Sequence, residues 1–344
     1  MGFCFKKFIF EGSTYVTMDR FMNLALYHEE HGYYMTKMPF GRTGDFITSA
    51  EISQLFGEVV ALWVLSYLES TGISEKFSLL ELGPGRGTLM HDILRVFEQF
   101  PRYNALLEVH LLEISPLLRN AQRATLERFS ARKEISWHCK LEELPERPTV
   151  VVANEFFDAL PVRQFVRASN GAWKERCVCN DGGNLSVVAV DTEYNLDEYD
   201  DVPEGGIIER CEAASDVLAC LEKIIVRNGG AGAIFDYGYL QPPYHSTIQS
   251  VKNHHYCDFL DNIGECDITA HVDFSLLQKH AQRLNGKVMT QREFLYQFGI
   301  RERLACLERN ATEAQRLELK SGFLRLTENM GTMFKVLLLH YEHR

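Results

Sequence analysis

Four short stretches of the chain hold residues able to bind and react. In Glu81-Leu-Gly83-Pro-Gly85-Arg-Gly87-Thr88 an apolar run ends in an acid and three alternating glycines, and helical spacing starts at once with Leu89, Ile93, Val96, Phe97 and Phe100. Glycines let a chain turn sharply and let a ligand rest against the backbone, while the free amides of the next helix point at it. The spacing narrows the ligand. A phosphate loop needs Gly-x-x-x-x-Gly-Lys-Ser/Thr, and no lysine stands here. A dinucleotide fingerprint needs Gly-x-Gly-x-x-Gly, but position 88 is threonine and the third glycine comes one residue early, which disfavours an NAD-type oxidoreductase.

The other three stretches are acids at the ends of apolar runs. Leu106–Leu112 stops at Glu113, and Thr149–Ala153 stops at Asn154-Glu155-Phe156-Phe157-Asp158-Ala159-Leu160-Pro161. Ala231–Phe235 likewise ends at Asp236-Tyr-Gly238. Ligands of an open α/β sheet sit beyond the carboxyl ends of its strands, so all of these polar residues face one crevice. An acid at the end of the second strand accepts hydrogen bonds from ribose hydroxyls, and Glu113 holds that position.

These residues need a scaffold of alternating strands and helices. Strands are expected near Ser78–Leu82, Leu106–Leu112, Ile135–His138, Thr149–Ala153, Ala231–Phe235, Val288 and Phe334–Tyr341. Pro101 reads as the end of the first crossover helix, followed by a loop to Asn104, and Ser115-Pro116 opens the next helix. Upstream, a short helix runs from Thr17 towards Tyr34 and ends at Gly32, and a polar loop spans Gly41–Ile47. Thr48 and Glu51 form a capping-box pattern at the head of a helix through Leu55, Phe56, Val59, Val60, Trp63 and Leu68. Val162–Ala168 and Ala172–Cys179 alternate around Ser169-Asn-Gly171 as a hairpin, with a further strand at Leu185–Val190. Leu240–Glu265 reads as a long irregular functional loop. The expected divisions are a helical region with a ligand-lining loop over 1–76, the first half of the sheet over 77–161, the antiparallel insertion over 162–206, and the rest over 207–344.

Composition sets the limits. At 344 residues, 46% hydrophobic, the chain can fill a large α/β core. A net charge of −11 speaks against nucleic acid as a partner, which would require a basic face. Nine scattered cysteines with no Cys-x-x-Cys suggest reduced thiols and no zinc site, and His28 and His31 lack the order of a zinc helix. The apolar start, Met1–Phe10, is too short for a signal peptide, Gly2 is not followed by the myristoylation pattern, and no run nears the roughly 18 apolar residues of a membrane span. The expectation is a cytoplasmic protein.

Glu81-x-Gly-x-Gly-x-Gly87 resembles the first motif of class I S-adenosylmethionine-dependent methyltransferases. Together with Gly44-Asp-Phe-Ile-Thr-Ser-Ala-Glu-Ile-Ser-Gln-Leu-Phe-Gly57, Ala153–Pro161, Asp236-Tyr-Gly238 and Asp267-Ile-Thr-Ala-His-Val-Asp-Phe274, it is similar to the MidA-like methyltransferase family, which includes the mitochondrial complex I assembly methyltransferase and bacterial relatives. The resemblance implies a Rossmann-like domain binding S-adenosylmethionine with helices on both faces of its sheet, plus the hairpin insertion and added helices. It also implies methyl transfer to a protein arginine, and for the mitochondrial branch a role in complex I assembly through a respiratory-complex subunit. The site residues are then Asn154, Glu155, Asp158 and Asp236 for catalysis, with Thr48, Ser49, Glu81, Gly83, Gly85, Gly87, Thr88, Glu113, Leu141 and Asn154 around the cofactor. Glu155 and Asp158 would orient the guanidinium, Asn154 or Asp236 the methionine end of the cofactor, and the turn at Leu141 the adenine. No metal is expected. The rival reading is an assembly factor that binds the cofactor without turnover.

Overall fold

The computed structural model describes residues 9–10, 12–39, 45, 48–252 and 254–341. Most of Met1–Phe10 and of the Gly41–Ile47 loop therefore lies outside the described residues. The central sheet has seven strands on one path: β1 (Phe77–Leu82), β2 (Leu107–Leu112), β3 (Ile135–His138), β4 (Thr149–Asn154), β5 (Gly230–Tyr239), β6 (Asn285–Thr290) and β7 (Phe334–His340). They lie in the order β3-β2-β1-β4-β5-β7-β6, and only β7 runs against the rest. The chain order reverses between β1 and β4, and such a switch point leaves a crevice at the strand ends for a ligand.

Pleating explains why the strands read as unbroken apolar runs. In β4, Val150 and Val152 enter one hydrophobic cluster while Val151 and Ala153 enter the other, so both faces are covered. On one face lie α1 (Gln54–Thr71), α2 (Thr88–Phe97) and α3 (Pro116–Ser130); on the other, α4 (Glu212–Asn228), through Leu218, Leu221 and Ile225, and the helix Phe274–His280. The class I methyltransferase sheet expected from sequence is the one observed.

Several local expectations change. Thr48 makes no capping hydrogen bond; a short helix Ser49–Ile52 breaks at extended Ser53, whose Oγ caps α1 by accepting from the Leu55 amide at 3.3 Å. Pro101 begins a helix, Pro101–Leu106, instead of ending one, because its fixed φ and missing donor suit a first helical turn. The helix near the N-terminus stops at Tyr27, and Gly32 precedes a separate turn, Tyr33–Thr36. Within the loop read as irregular, Gln249–Lys252 and His255–Tyr256 pair, and Gln249–Lys252 also pairs with Asp267–Thr269 to make a small antiparallel sheet. The hairpin, Arg163–Arg167 and Trp173–Asp181, sits in a five-stranded sheet with Asn184–Asp191, Tyr15–Thr17 and Ile207–Arg210, the last two drawn from outside 162–206.

Candidate active site

The glycine turn opens directly off β1. Gly83 has φ +58°, and a Cβ built there would meet the Phe156 ring at 2.7 Å, so a side chain would both strain the backbone and collide with the opposite wall. Gly87 has φ +83° at the head of α2 and faces Gln122 of α3, letting the two helices approach. Gln122 is fully buried and ties three elements together. Its Nε2 donates to the Gly85 carbonyl at 2.8 Å and to Glu113 Oε2 at 3.0 Å, and its Oε1 accepts from Trp137 Nε1 at 2.9 Å. Glu113 Oε1 also accepts from the Ser115 amide at 2.8 Å, and burial raises its pKa despite those donors.

Two openings meet at this turn. A cavity of about 490 Å³ is lined by Gly83, Gly85, Glu113, Ile114 and Leu118 on the β1–β2 side, and by Glu155, Phe156, Asp158, Tyr237 and Asp267 on the other. A small cleft of about 30 Å³ is lined by Thr48, Glu81, Gly83, Gly85, Thr88, Asn154 and Glu155. Within the cleft, Glu81 Oε2 and Asn154 Oδ1 are buried with no hydrogen-bond partner among the described residues. Glu81 has its pKa pushed up to about 8 by burial, against one backbone amide bond from Met90. Two unanswered acceptors beside a glycine turn suit the ammonium of an amino-acid moiety.

The turn after β4 is unusually constrained. Glu155 adopts φ +50°, a conformation that residues with a Cβ rarely take, and its amide donates to the Phe235 carbonyl at 2.9 Å. Its Oε1 accepts from the Ser49 amide at 2.7 Å and from Asn154 Nδ2 at 3.3 Å. Asp236 stands beneath, wholly buried, with Oδ2 accepting from the Phe157 and Asp158 amides at 3.0 and 3.1 Å and Oδ1 from the Tyr237 amide at 3.0 Å. Asp236 therefore shapes the turn, and it is not among the residues that line either opening. The Leu141 side chain packs in the core, and Cys139 of the same region stands at the cavity wall. Gly87 faces Gln122 and lines neither opening, and Thr88 Oγ1 lies 3.5 Å from Glu51 Oε1.

Burial pushes Glu155 and Asp267 up to about 7, and raises Asp158 through burial first and the neighbouring Glu155 second. No lysine, arginine or histidine is among the described residues lining the cavity; Asn23, Tyr27, Tyr34, Gln249 and Thr269 complete its polar surface. No local pattern singles out Gln122 or Tyr27. Tyr34 lies at the end of the Thr17–Tyr34 stretch and Asp267 at the head of Asp267–Phe274, where no local pattern marks either for a role.

A family model of S-adenosyl-L-methionine-dependent methyltransferases matches residues 59–292. The chain belongs to this family. This methyltransferase is 34% identical to the protein arginine methyltransferase NDUFAF7, mitochondrial, of Xenopus tropicalis, over 93% of its own length and 81% of the relative's. It is also 34% identical to the Homo sapiens protein of that name, over 93% and 78% of the two lengths. A COG1565 superfamily member from Burkholderia thailandensis, solved bound to S-adenosyl-homocysteine, superposes with a TM-score of 0.86 at 28% identity over 98% of this chain and 90% of that one. The methyltransferase uses S-adenosylmethionine, and the glycine cradle, the two unpartnered acceptors and the accepting carboxylate of Glu113 fit it. The expectation of a cytoplasmic protein is overturned by relatives that span nearly the whole chain and are mitochondrial. Among the described residues, no helix is long and apolar enough to cross a membrane.

Proposed function

We propose that the protein transfers a methyl group to an arginine side chain of a protein substrate. One observation carries the reading: the reaction cavity gathers Glu155, Asp158 and Asp267 with tyrosines and no basic residue among those described, a surface matched to a delocalised cation. The relatives' names as protein arginine methyltransferases support the same acceptor, and the family resemblance extends the proposal to a respiratory complex I subunit as target.

Bound S-adenosylmethionine supplies an electrophilic methyl group on a sulfonium. Thr48, Glu81 and Asn154 would hold its amino-acid end, Gly83 and Gly85 its chain and Glu113 its ribose, while the expected cofactor contact of Ser49 gives way to a positioning role, its buried amide donating to Glu155. The chemistry left to the protein is placement and proton removal. Glu155 borders both the cleft proposed for the cofactor's amino-acid end and the side of the cavity that carries Asp158 and Asp267, so it stands between methyl donor and acceptor. As the acceptor nitrogen forms its bond to the methyl carbon, the carbon–sulfur bonding pair stays on sulfur and one nitrogen proton leaves. A carboxylate whose pKa lies near 7 accepts that proton more readily than an ordinary one. Asp158 holds a second donor of the guanidinium and keeps the nitrogen in line.

Incubation with isotopically labelled S-adenosylmethionine and a cell extract, followed by mass spectrometry of labelled protein, tests the reading. Methylarginine is expected, and Glu155→Gln is expected to lower turnover about 100-fold or more while leaving cofactor affinity within a few-fold. Label on lysine, or a Glu155→Gln variant as fast as wild type, would overturn it.

A further inference from the structure

Glu155 touches both openings, whereas Asp267 lines only the large cavity. It arrives on a separate part of the fold, the strand Asp267–Thr269 of the small sheet, where Thr269 pairs in register with Gln249. Its Oδ1 accepts from the Tyr34 hydroxyl at 2.7 Å. The Tyr34 ring stacks on Tyr27 with centroids 5.6 Å apart and 22° between planes, and the Tyr27 hydroxyl donates to the Ala159 carbonyl at 2.9 Å. That bond fastens the aromatic pair to the end of the catalytic turn. Asn23, Tyr27 and Tyr34 all precede the stretch matched by the family model. Asp267 is buried with no cation beside it among the described residues, and the charged groups that act on it are acids, Asp158 and Asp45. Glu155 feels Asp267 in turn. A buried carboxylate in such company is stabilised by a cation arriving from outside.

We propose that Asp267, oriented by the Tyr34 hydroxyl, is a further acceptor-binding carboxylate that grips the guanidinium edge away from the reacting nitrogen and selects arginine over lysine. The inference rests on the arginine reading above and deepens it. A guanidinium is flat and carries five N–H donors on several edges, so acceptors on one side alone leave donors unanswered in a dry cavity. Glu155 and Asp158 approach from the β4 turn, and Asp267 from the small sheet supplies an acceptor on another edge. The stacked Tyr27 and Tyr34 rings provide a wall suited to a flat cation. A lysine ammonium has no second edge to offer, so Asp267 would discriminate between the two. Tyr34 is here a positioning residue: its donor favours the charged form of Asp267.

The test is binding of N-acetyl-L-arginine amide and N-acetyl-L-lysine amide to the full chain with S-adenosylhomocysteine present, measured by calorimetry between pH 6 and 9. Wild type is expected to bind the arginine amide at least about 10-fold more tightly than the lysine amide. Asp267→Asn is expected to lose about 10-fold or more of the arginine affinity and most of that preference, with S-adenosylhomocysteine affinity within about 2-fold. Tyr34→Phe, which keeps the ring and removes the donor, is expected to move the pH midpoint of arginine binding upward by roughly half a unit or more. Unchanged arginine affinity in Asp267→Asn together with an unmoved midpoint in Tyr34→Phe would overturn the proposal and leave the arginine reading standing. A wild-type protein that binds the lysine amide as tightly as the arginine amide would overturn that reading itself.

Discussion

The carboxamide of Gln122 spends its donors and acceptor on the Gly85 carbonyl, Glu113 and Trp137, so one side chain fixes the glycine turn relative to the acid at the end of β2. Glu113 keeps spare acceptor capacity for ribose hydroxyls, since each carboxylate oxygen can accept more than one hydrogen bond. Glu113→Ala removes that acceptor, and Gln122→Leu removes the group that aims it while keeping most of the volume. Hydrogen bonds to charged groups are worth about 1.5–3 kcal/mol, so both variants are expected to weaken S-adenosylmethionine roughly 10- to 100-fold by calorimetry. Unchanged affinity in Glu113→Ala would remove the ribose assignment. Glu113 was readable because an acid terminating a strand stands out; Gln122 was not, because on an amphipathic helix it looks like one more polar residue.

Buried Glu58 of α1 accepts from Arg95 of α2 at 2.7 Å and from Arg303, of the helix Ile300–Glu308, through Nε at 2.5 Å and Nη2 at 3.0 Å. This contact clamps the helix behind the glycine turn to an element more than two hundred residues away in sequence. Both arginines keep about a third of their side chains in solvent, so Glu58→Ala lets them rehydrate and loses less than a fully buried pair would. A loss of roughly 2 kcal/mol in urea unfolding is expected. A loss below a few tenths would show that the clamp contributes nothing. The broad stripe of α1 was plain in the sequence, but its start was not. Thr48-x-x-Glu51 carries a capping pattern, while the Ser53 side chain takes the cap of α1 and Glu51 turns to Arg86 and Thr88. A local pattern proposes a helix start, and contacts from distant residues decide between candidates.

Across the whole molecule, the clustered acids link function to pH. Glu155 and Asp267 rise from ordinary values of 4.5 and 3.8 to about 7. A carboxyl whose folded pKa exceeds its unfolded one gives its full stabilisation below about pH 4 and loses it as pH climbs through about 7. At about 1.4 kcal/mol for each pH unit, ligand-free protein is therefore expected to lose up to about 8 kcal/mol from these two groups over that window. Thermal unfolding of wild type against the Glu155→Gln/Asp267→Asn double variant isolates the effect, and parallel pH curves would refute it. Activity runs the other way. In the proposed mechanism it is the ionised acids that hold the guanidinium, so kcat/KM is expected to climb as pH rises through about 7, with the rise lost in the double variant. The site thus gives up stability in its empty state to bind a cation.

By itself the sequence determined the sheet, its flanking helices, the glycine turn and the acids at strand ends, because each is a local pattern of apolar period, turn residue and chain break. It did not determine which acids face the cavity. Asp236 and Asp158 look alike as strand-end aspartates, yet one lies under the turn accepting three backbone amides and the other opens onto the cavity. Nor did it show that Tyr27 and Tyr34, near the start, and Asp267, far downstream, come together in the wall of one cavity. Those assignments depend on how the N-terminal helix and the small sheet pack across the ends of β4 and β5, and contacts of that range leave no periodic trace along the chain.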